Sequence, residues 1–382
     1  MVTSSLTRQV SRKAWVDVAK GIAILLVVTY HASLYLAKSG GLLGMPWIMK
    51  APLELFPMPA FFVLAGMLSA RTLGFTFSDL WRRRVLPMLY LYAVWSVIRF
   101  IFYIVIPGAN AEVGDLPANS PITLALIFLW PSSSYWFLYA LALFTVAAWA
   151  IRRVPVAVQV AVTAVLCAVT TSGLLDTQNV GWNRVIGLFI FYVVGVHFAK
   201  QIFEGVARVR VWFLPIALVV FGGYVGALIF LGLRDVPGAA LIGQLLAVVV
   251  GFSFAQLIAP LRVTAFLARW GSLSLYIYLY HLFLIVPVAT IVGLIGWTGP
   301  RWAGFLVQAA LTLAAIEFAV LMMKLTGRFK WLYLPPRSWV RSPVRPAAAA
   351  EPASAPRDES APSAVPAPET APAVPQTRKD RS

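Results

Sequence analysis

The sequence predicts an all-α integral membrane protein of about ten transmembrane helices with both termini cytoplasmic. Three observations predict it. Of the 382 residues, 60% are apolar and only 12% are charged, whereas soluble domains carry roughly a quarter charged residues. The apolar residues fall in blocks long enough to cross a hydrocarbon core of about 30 Å, which needs roughly 20 helical residues. The basic residues lie between those blocks and alternate in density from one connection to the next. With a mean hydropathy of +0.82, the composition excludes a soluble enzyme and a disordered chain alike.

The elements follow in order. The first span, 15–36, opens on Trp15, is interrupted early by Asp17 and Lys20, and then runs apolar to His31. The second, 48–70, ends at Arg71, and the third, 85–106, starts directly after Arg82-Arg83-Arg84. The stretch 121–130 is apolar but too short to span and reads as a re-entrant or interfacial entry to the fourth span. Arg152-Arg153 divides the fourth span, 134–151, from the fifth, 154–174. The sixth, 184–199, ends at Lys200, and the seventh, 211–233, lies between Arg210 and Arg234. The eighth, 238–260, runs from Gly238 to Pro260; the ninth, 270–294, follows Arg269; the tenth, 302–325, lies between Arg301 and Arg328.

Orientation follows from the connections. With the N-terminus inside, sixteen Lys and Arg fall in inner segments and five in outer ones (Lys38, Lys50, Arg184, Arg234, Arg301). That asymmetry predicts both termini in the cytoplasm. It also accounts for the formal charge of +17 as a topology signal, so no nucleic-acid partner is expected. The basic start followed by an apolar run resembles a secretory signal, but Asp17 and Lys20 interrupt it and no small-residue cleavage site follows. The domain plan is a cytoplasmic segment 1–14, a membrane domain 15–334, and a tail 335–382 of Pro, Ala, Ser and charge that cannot bury a core. Removing 346–382 is expected to leave membrane accumulation and activity intact. The single cysteine, Cys167, and three dispersed histidines exclude a disulfide framework and a metal site.

Ionisable groups inside a bilayer are costly and mark function by default. Lys20 and His31 are eleven residues apart, three helical turns plus about 20°, so they share one face about 16 Å apart along the axis. Asp17, one turn before Lys20, is placed to hold its ammonium. Interfacial marking, with Lys20 snorkelling, is the alternative for that pair. His31 lies beyond the middle of its span, where a ring that exchanges protons near neutral pH has no interfacial explanation. Glu54 and Arg99 both fall in the outer half, which allows an ion pair. Glu317 lies in the inner half of the last span, and His281 follows Tyr276, Tyr278 and Tyr280 in the ninth.

These motifs resemble a known family. Trp15-Val16-Asp17-Val18-Ala19-Lys20-Gly21, continuing apolar to Thr29-Tyr30-His31, is similar to the first helix of the membrane-bound acyltransferase-3 family. Four further segments agree in order: Met58-Pro59-Ala60-Phe61-Phe62, Arg82-Arg83-Arg84-Val85-Leu86-Pro87, Trp136-Phe137-Leu138-Tyr139, and Ser274 through Tyr280-His281. The resemblance spans 15 to about 330 and is nearest the branch with Lys before the helix glycine, which includes proteins similar to fucose-4-O-acetylases. The chain departs from the family at Pro57, where relatives carry His or Arg, and at Ala65-Gly66 in place of Ser-Gly.

The resemblance implies a bacterial inner-membrane enzyme that moves an acyl group, acetyl above all, from acetyl-CoA to a hydroxyl of an extracytoplasmic glycan. The coenzyme is then a co-substrate, with no tightly bound cofactor, and the partners are the lipid bilayer, the acyl-CoA donor and a carbohydrate acceptor. A hydroxyl needs a positioned base, and His31 is the first candidate with His281 the next. Arg99 or the Tyr276 hydroxyl is suited to the developing oxyanion. Lys20, Arg82, Arg83 and Arg84 are suited to the donor's phosphates, although topology alone also explains the arginines. Direct attack and transient acylation of His31 both remain open. A secondary transporter is the alternative from a different class, since it too needs many spans with intramembrane His, Glu and Arg.

Overall fold

The computed structural model describes residues 2–38, 53–106, 117–131, 134–296 and 300–340. Among the described residues there is no strand. Among the same residues, eight helical segments are long and apolar enough to cross a membrane, and two shorter apolar helices, Trp136–Ala150 and Val156–Thr171, stand where the fourth and fifth spans are expected. Their 15 and 16 residues reach about 22–24 Å at 1.5 Å per residue.

The principal helices are α1 (Val2–Lys38), α2 (Pro57–Ser69), α3 (Leu86–Val105), α4 (Trp136–Ala150), α5 (Val156–Thr171), α6 (Val180–Ala207), α7 (Phe213–Phe230), α8 (Ala239–Ile258), α9 (Ala265–Ser272), α10 (Ser274–Tyr280), α11 (Leu282–Ile295) and α12 (Arg301–Thr326). The central element is α1, which packs against α2, α8, α9, α10, α11 and α12. Trp15 is 1% exposed, edge-on to Phe203 and tilted against Phe252.

Small residues let the backbones meet, as membrane helices require when the hydrophobic effect does not drive them together. A Cβ on Gly21 would collide with the Leu267 carbonyl, and one on Gly271 would collide with the Asp17 carbonyl, so α1 and α9 touch through reciprocal glycines. The same device joins α2 to α6, where Gly66 faces the Tyr192 carbonyl and Gly195 faces that of Val63. Gly21→Val is expected to abolish membrane accumulation, since overpacking costs about 1–3 kcal/mol or more. Gly74→Ala, at a site with open space, is expected to leave accumulation unchanged. Immunoblots of membranes check both.

α1 is helical from Val2 onward, so its helix begins ahead of the first candidate span, 14–37. Three sequence expectations are corrected here. The run Arg82-Arg83-Arg84 is not a connecting loop. It lies in a π-helical turn, Trp81–Val85, continuous with the third span, and such turns recur at functional sites. The ninth span is not one rod. It breaks at Leu273, whose backbone leaves the helical region, and carries Pro287 inside α11, where the missing N–H weakens the ladder; His281, between α10 and α11, keeps helical angles. The tail does not begin at 335. Trp95 Nε1 donates to the Leu332 carbonyl, the Tyr90 hydroxyl to that of Trp331, and the Trp339 ring meets Tyr90 edge-on. Aromatic rings of the third span thus fix the chain through a final short helix, Arg337–Val340; residues 341–382 lie outside the described ones.

Candidate active site

His31 and His281, 250 positions apart, meet at the centre of the molecule. His31 Nδ1 lies 2.9 Å from the Val27 carbonyl oxygen and 3.3 Å from His281 Nε2. His281 is 1% exposed, and its Nδ1 lies 3.0 Å from the Ile277 carbonyl oxygen. Carbonyl oxygens only accept, so in the neutral pair each Nδ1 carries the proton. His281 Nε2 then holds a lone pair and accepts from His31 Nδ1–H, shared with Val27. His31 Nε2 is left as an unprotonated nitrogen with no hydrogen-bond partner among the described residues. A proton acceptor held in one tautomer by a second group is the arrangement that general-base catalysis needs.

Two cavities approach this pair. One, of about 430 Å³, has Lys20, Arg83 and Arg84 in its wall. The other, of about 420 Å³, is lined by His31 together with Glu54, Arg184, Gln244 and Thr170. Val27, Met58 and Tyr278 belong to both walls. Along α1, Lys20 thus stands in the wall of one cavity and His31 in that of the other. Neither lining includes His281, which instead contacts the ring of His31.

The Lys20-side cavity is basic at one end and apolar along its length. Lys20 Nζ pairs with Asp17 at 2.8 Å, as their one-turn spacing anticipates. Arg83 Nε pairs with Asp79 at 3.1 Å, while Phe61, Leu64, Leu138 and Leu141 supply the apolar wall. The π-helical turn sends Arg83 and Arg84 to this cavity, and Arg82 is absent from its lining. Tyr333 and Leu334, beyond the last span, also line it. Tyr333 is held there by hydrogen bonds among its hydroxyl, that of Tyr280 (2.8 Å) and that of Thr326.

Two expected oxyanion donors stand elsewhere. Arg99 is 5% exposed, its guanidinium 5.1 Å from the Tyr103 ring centre, and it lines neither cavity. The aromatic packing of α3 turns it into a cluster with Tyr35, Tyr92, Tyr103 and Tyr135. Tyr276 packs edge-on to Tyr333 at 5.1 Å and is likewise outside both linings. Its neighbour Tyr278 takes the junction position instead, with its hydroxyl donating to the Ser134 carbonyl at 2.6 Å. Glu317 accepts from Trp270 Nε1 at 3.1 Å, which ties α12 to α9 rather than to either cavity.

Sequence reasoning missed Arg184. Counted there as one of five outer basic residues, it sits in the first turns of α6, 5.4 Å from the Trp136 ring centre, within electrostatic range of His31, Tyr30, Tyr278 and Glu54. The signal available was an arginine just inside a span. Its neighbourhood is organised by the preceding loop: Asn179 caps α6 by accepting from Trp182 N, and Asn183 Oδ1 accepts from Thr177 while its amide donates to Asp176. The Asn183 amide, with the Gln178 backbone N–H, holds the exposed Asp176 carboxyl below its usual range. Thr170 was also missed, because a threonine in an apolar helix carries no signal of its own.

No curated protein and no solved structure matches the chain. A family model described as an acyltransferase domain matches residues 13–324. That stretch contains both cavities apart from Tyr333 and Leu334, the histidine pair and the eight long apolar segments but for the last two residues of the eighth, and the chain thus belongs to the acyltransferase-3 family of membrane acyltransferases.

Proposed function

We propose that the protein transfers an acyl group, acetyl above all, from acyl-CoA in the Lys20-side cavity to a hydroxyl of a glycan in the His31-side cavity. The single observation that supports this most is the pair of cavities sharing Val27, Met58 and Tyr278, one basic and apolar, the other holding the tautomer-fixed His31. Lys20 and Arg84 meet the donor's phosphates, and the apolar wall takes the pantetheine arm, bringing the thioester to the junction. The acceptor oxygen attacks the thioester carbon as His31 Nε2 takes the hydroxyl proton. The tetrahedral oxyanion collapses, the carbon–sulfur bond breaks, and the thiolate recovers the proton from the imidazolium.

With the positive-inside orientation, the Lys20-side cavity meets the cytoplasm, where the donor is made, and the His31 side meets the extracytoplasmic glycan of a bacterial inner membrane. Reporter fusions at Gly114 and at the tail are expected to read outside and inside respectively; a tail outside overturns this orientation. The full chain in lipid vesicles, given acetyl-CoA and surface glycan, is expected to release free thiol while the glycan gains acetyl groups by mass. Solute movement without thiol release overturns the reading in favour of transport. Lys20→Ala is expected to raise KM for acetyl-CoA about tenfold with kcat little changed, from the loss of one charged hydrogen bond. Lys20→Arg is expected to retain more of the wild-type KM, since a guanidinium also serves a phosphate.

A further inference from the structure

Tyr333, beyond the last span, touches the short helix that leads into His281. α10 is only seven residues long and follows the break at Leu273, where φ is −99° and ψ is 7°. No continuous helix fixes its rotation from that end, so side chains must do so. Tyr276 and Tyr280 stand one turn apart on α10 and share a face. Tyr333 meets both, its ring edge-on to Tyr276 with centres 5.1 Å apart and its hydroxyl 2.8 Å from that of Tyr280. Thr326, at the end of α12, completes the group. Its hydroxyl donates to the Met322 carbonyl at 2.6 Å, which leaves its oxygen to accept from the two tyrosines.

Tyr333 is itself fixed from outside α10. Trp95 donates Nε1 to the Leu332 carbonyl at 2.9 Å, and its ring meets those of Tyr280 and Tyr333 at 4.7 and 6.2 Å. The residue after Tyr280 is His281, which keeps helical angles, so a turn of α10 about its axis carries the imidazole with it. His281 Nε2 lies 3.3 Å from His31 Nδ1, near the long end of hydrogen-bond distances. Functional groups need to be held within about 0.5 Å of their working geometry, and a small rotation of α10 exceeds that.

We propose that Tyr333, which lies beyond the family-matched stretch 13–324, is a positioning residue: its hydroxyl, through Tyr280, sets the rotation of α10 and so holds His281 against His31. The proposal rests on the acyl-transfer reading for its purpose, but the histidine geometry can be measured without turnover. Tyr333 also stands in the wall of the Lys20-side cavity, so the pair is aligned from the side on which the donor binds.

The chain has 3 histidines, so nitrogen-labelled histidine in the full chain gives a short set of imidazole signals to follow by solid-state NMR in lipid vesicles without acyl-CoA. His197, whose Nε2 lies 2.9 Å from Gln159 Oε1, is the internal reference. Tyr333→Phe keeps the ring and removes the hydroxyl. It is expected to move the ring-nitrogen signals of His281 and His31 and to leave those of His197 in place. Tyr280→Phe removes the same link from its other end and is expected to give the same pattern, with little further change in the double variant. In thiol release, Tyr333→Phe is expected to lower kcat about 3–10-fold, as for one lost hydrogen bond, with KM for acetyl-CoA near the parent value. Unmoved His281 and His31 signals in both variants, movement of His197 along with them, or a loss confined to KM overturns the proposal. Signals that move as expected, in a protein that releases no thiol, leave the positioning role standing and remove the acyl-transfer reading. Thiol release with equal kcat in Tyr333→Phe and the parent does the reverse.

Discussion

His31→Ala is expected to lower acyl-CoA-dependent thiol release by about 10²–10⁴-fold, the usual contribution of a positioned base, with membrane accumulation unchanged. The expectation comes from the free Nε2: Nδ1 is committed to the Val27 carbonyl and to His281, and only Nε2 is left to take the acceptor's proton. His31→Gln preserves polarity and can still donate to the Val27 carbonyl, yet it takes no proton near neutral pH. It is expected to fail almost as badly as alanine. Near-normal transfer by His31→Gln would reduce the ring to a packing and hydrogen-bonding group and move the search for a base elsewhere.

His281→Leu is expected to cost about 10–100-fold in kcat, the range seen when a partner that orients a functional imidazole is removed. KM for acetyl-CoA is expected to stay near the parent value, because His281 lines neither cavity. His281→Gln offers a carbonyl oxygen to His31 Nδ1–H and is expected to recover part of the loss. Both variants leave Ile277 and the turn between α10 and α11 chemically intact. If glutamine and leucine behave alike, His281 supports the fold and not the tautomer, and the positioning role is lost.

The two histidines also measure how far the sequence reaches. The Lys20–His31 relation was legible in full, because a helix converts an eleven-residue spacing into a direction and a distance without help from anything else. The Asp17–Lys20 pair was legible for the same reason, and the structure closes it at 2.8 Å. His281 was visible only as a histidine in an apolar block; its approach to His31 depends on how α10 and α11 meet α1. Arg99 and Arg184 both carried a depth, yet only Arg184 lines a cavity. Depth along a span is readable from sequence, but azimuth relative to other helices is not, and azimuth sent Arg99 into the tyrosines of its cluster and Arg184 into the cavity wall.

The apolar blocks determined the all-helical membrane architecture, since a chain crossing hydrocarbon must satisfy its backbone internally and a helix does so within its own segment. The motifs along 15–330 determined the family to which residues 13–324 are matched. Tertiary structure alone decided the π-helical turn that brings Arg83 and Arg84 into the cavity wall with Lys20, the break at Leu273, and the meeting of two cavities at Val27, Met58 and Tyr278. The physical reason lies in the packing: where glycines let backbones touch, as at Gly21 against Leu267 and Gly271 against Asp17, sub-ångström fit between distant segments sets which side chains share a cavity, and no local spacing encodes that fit.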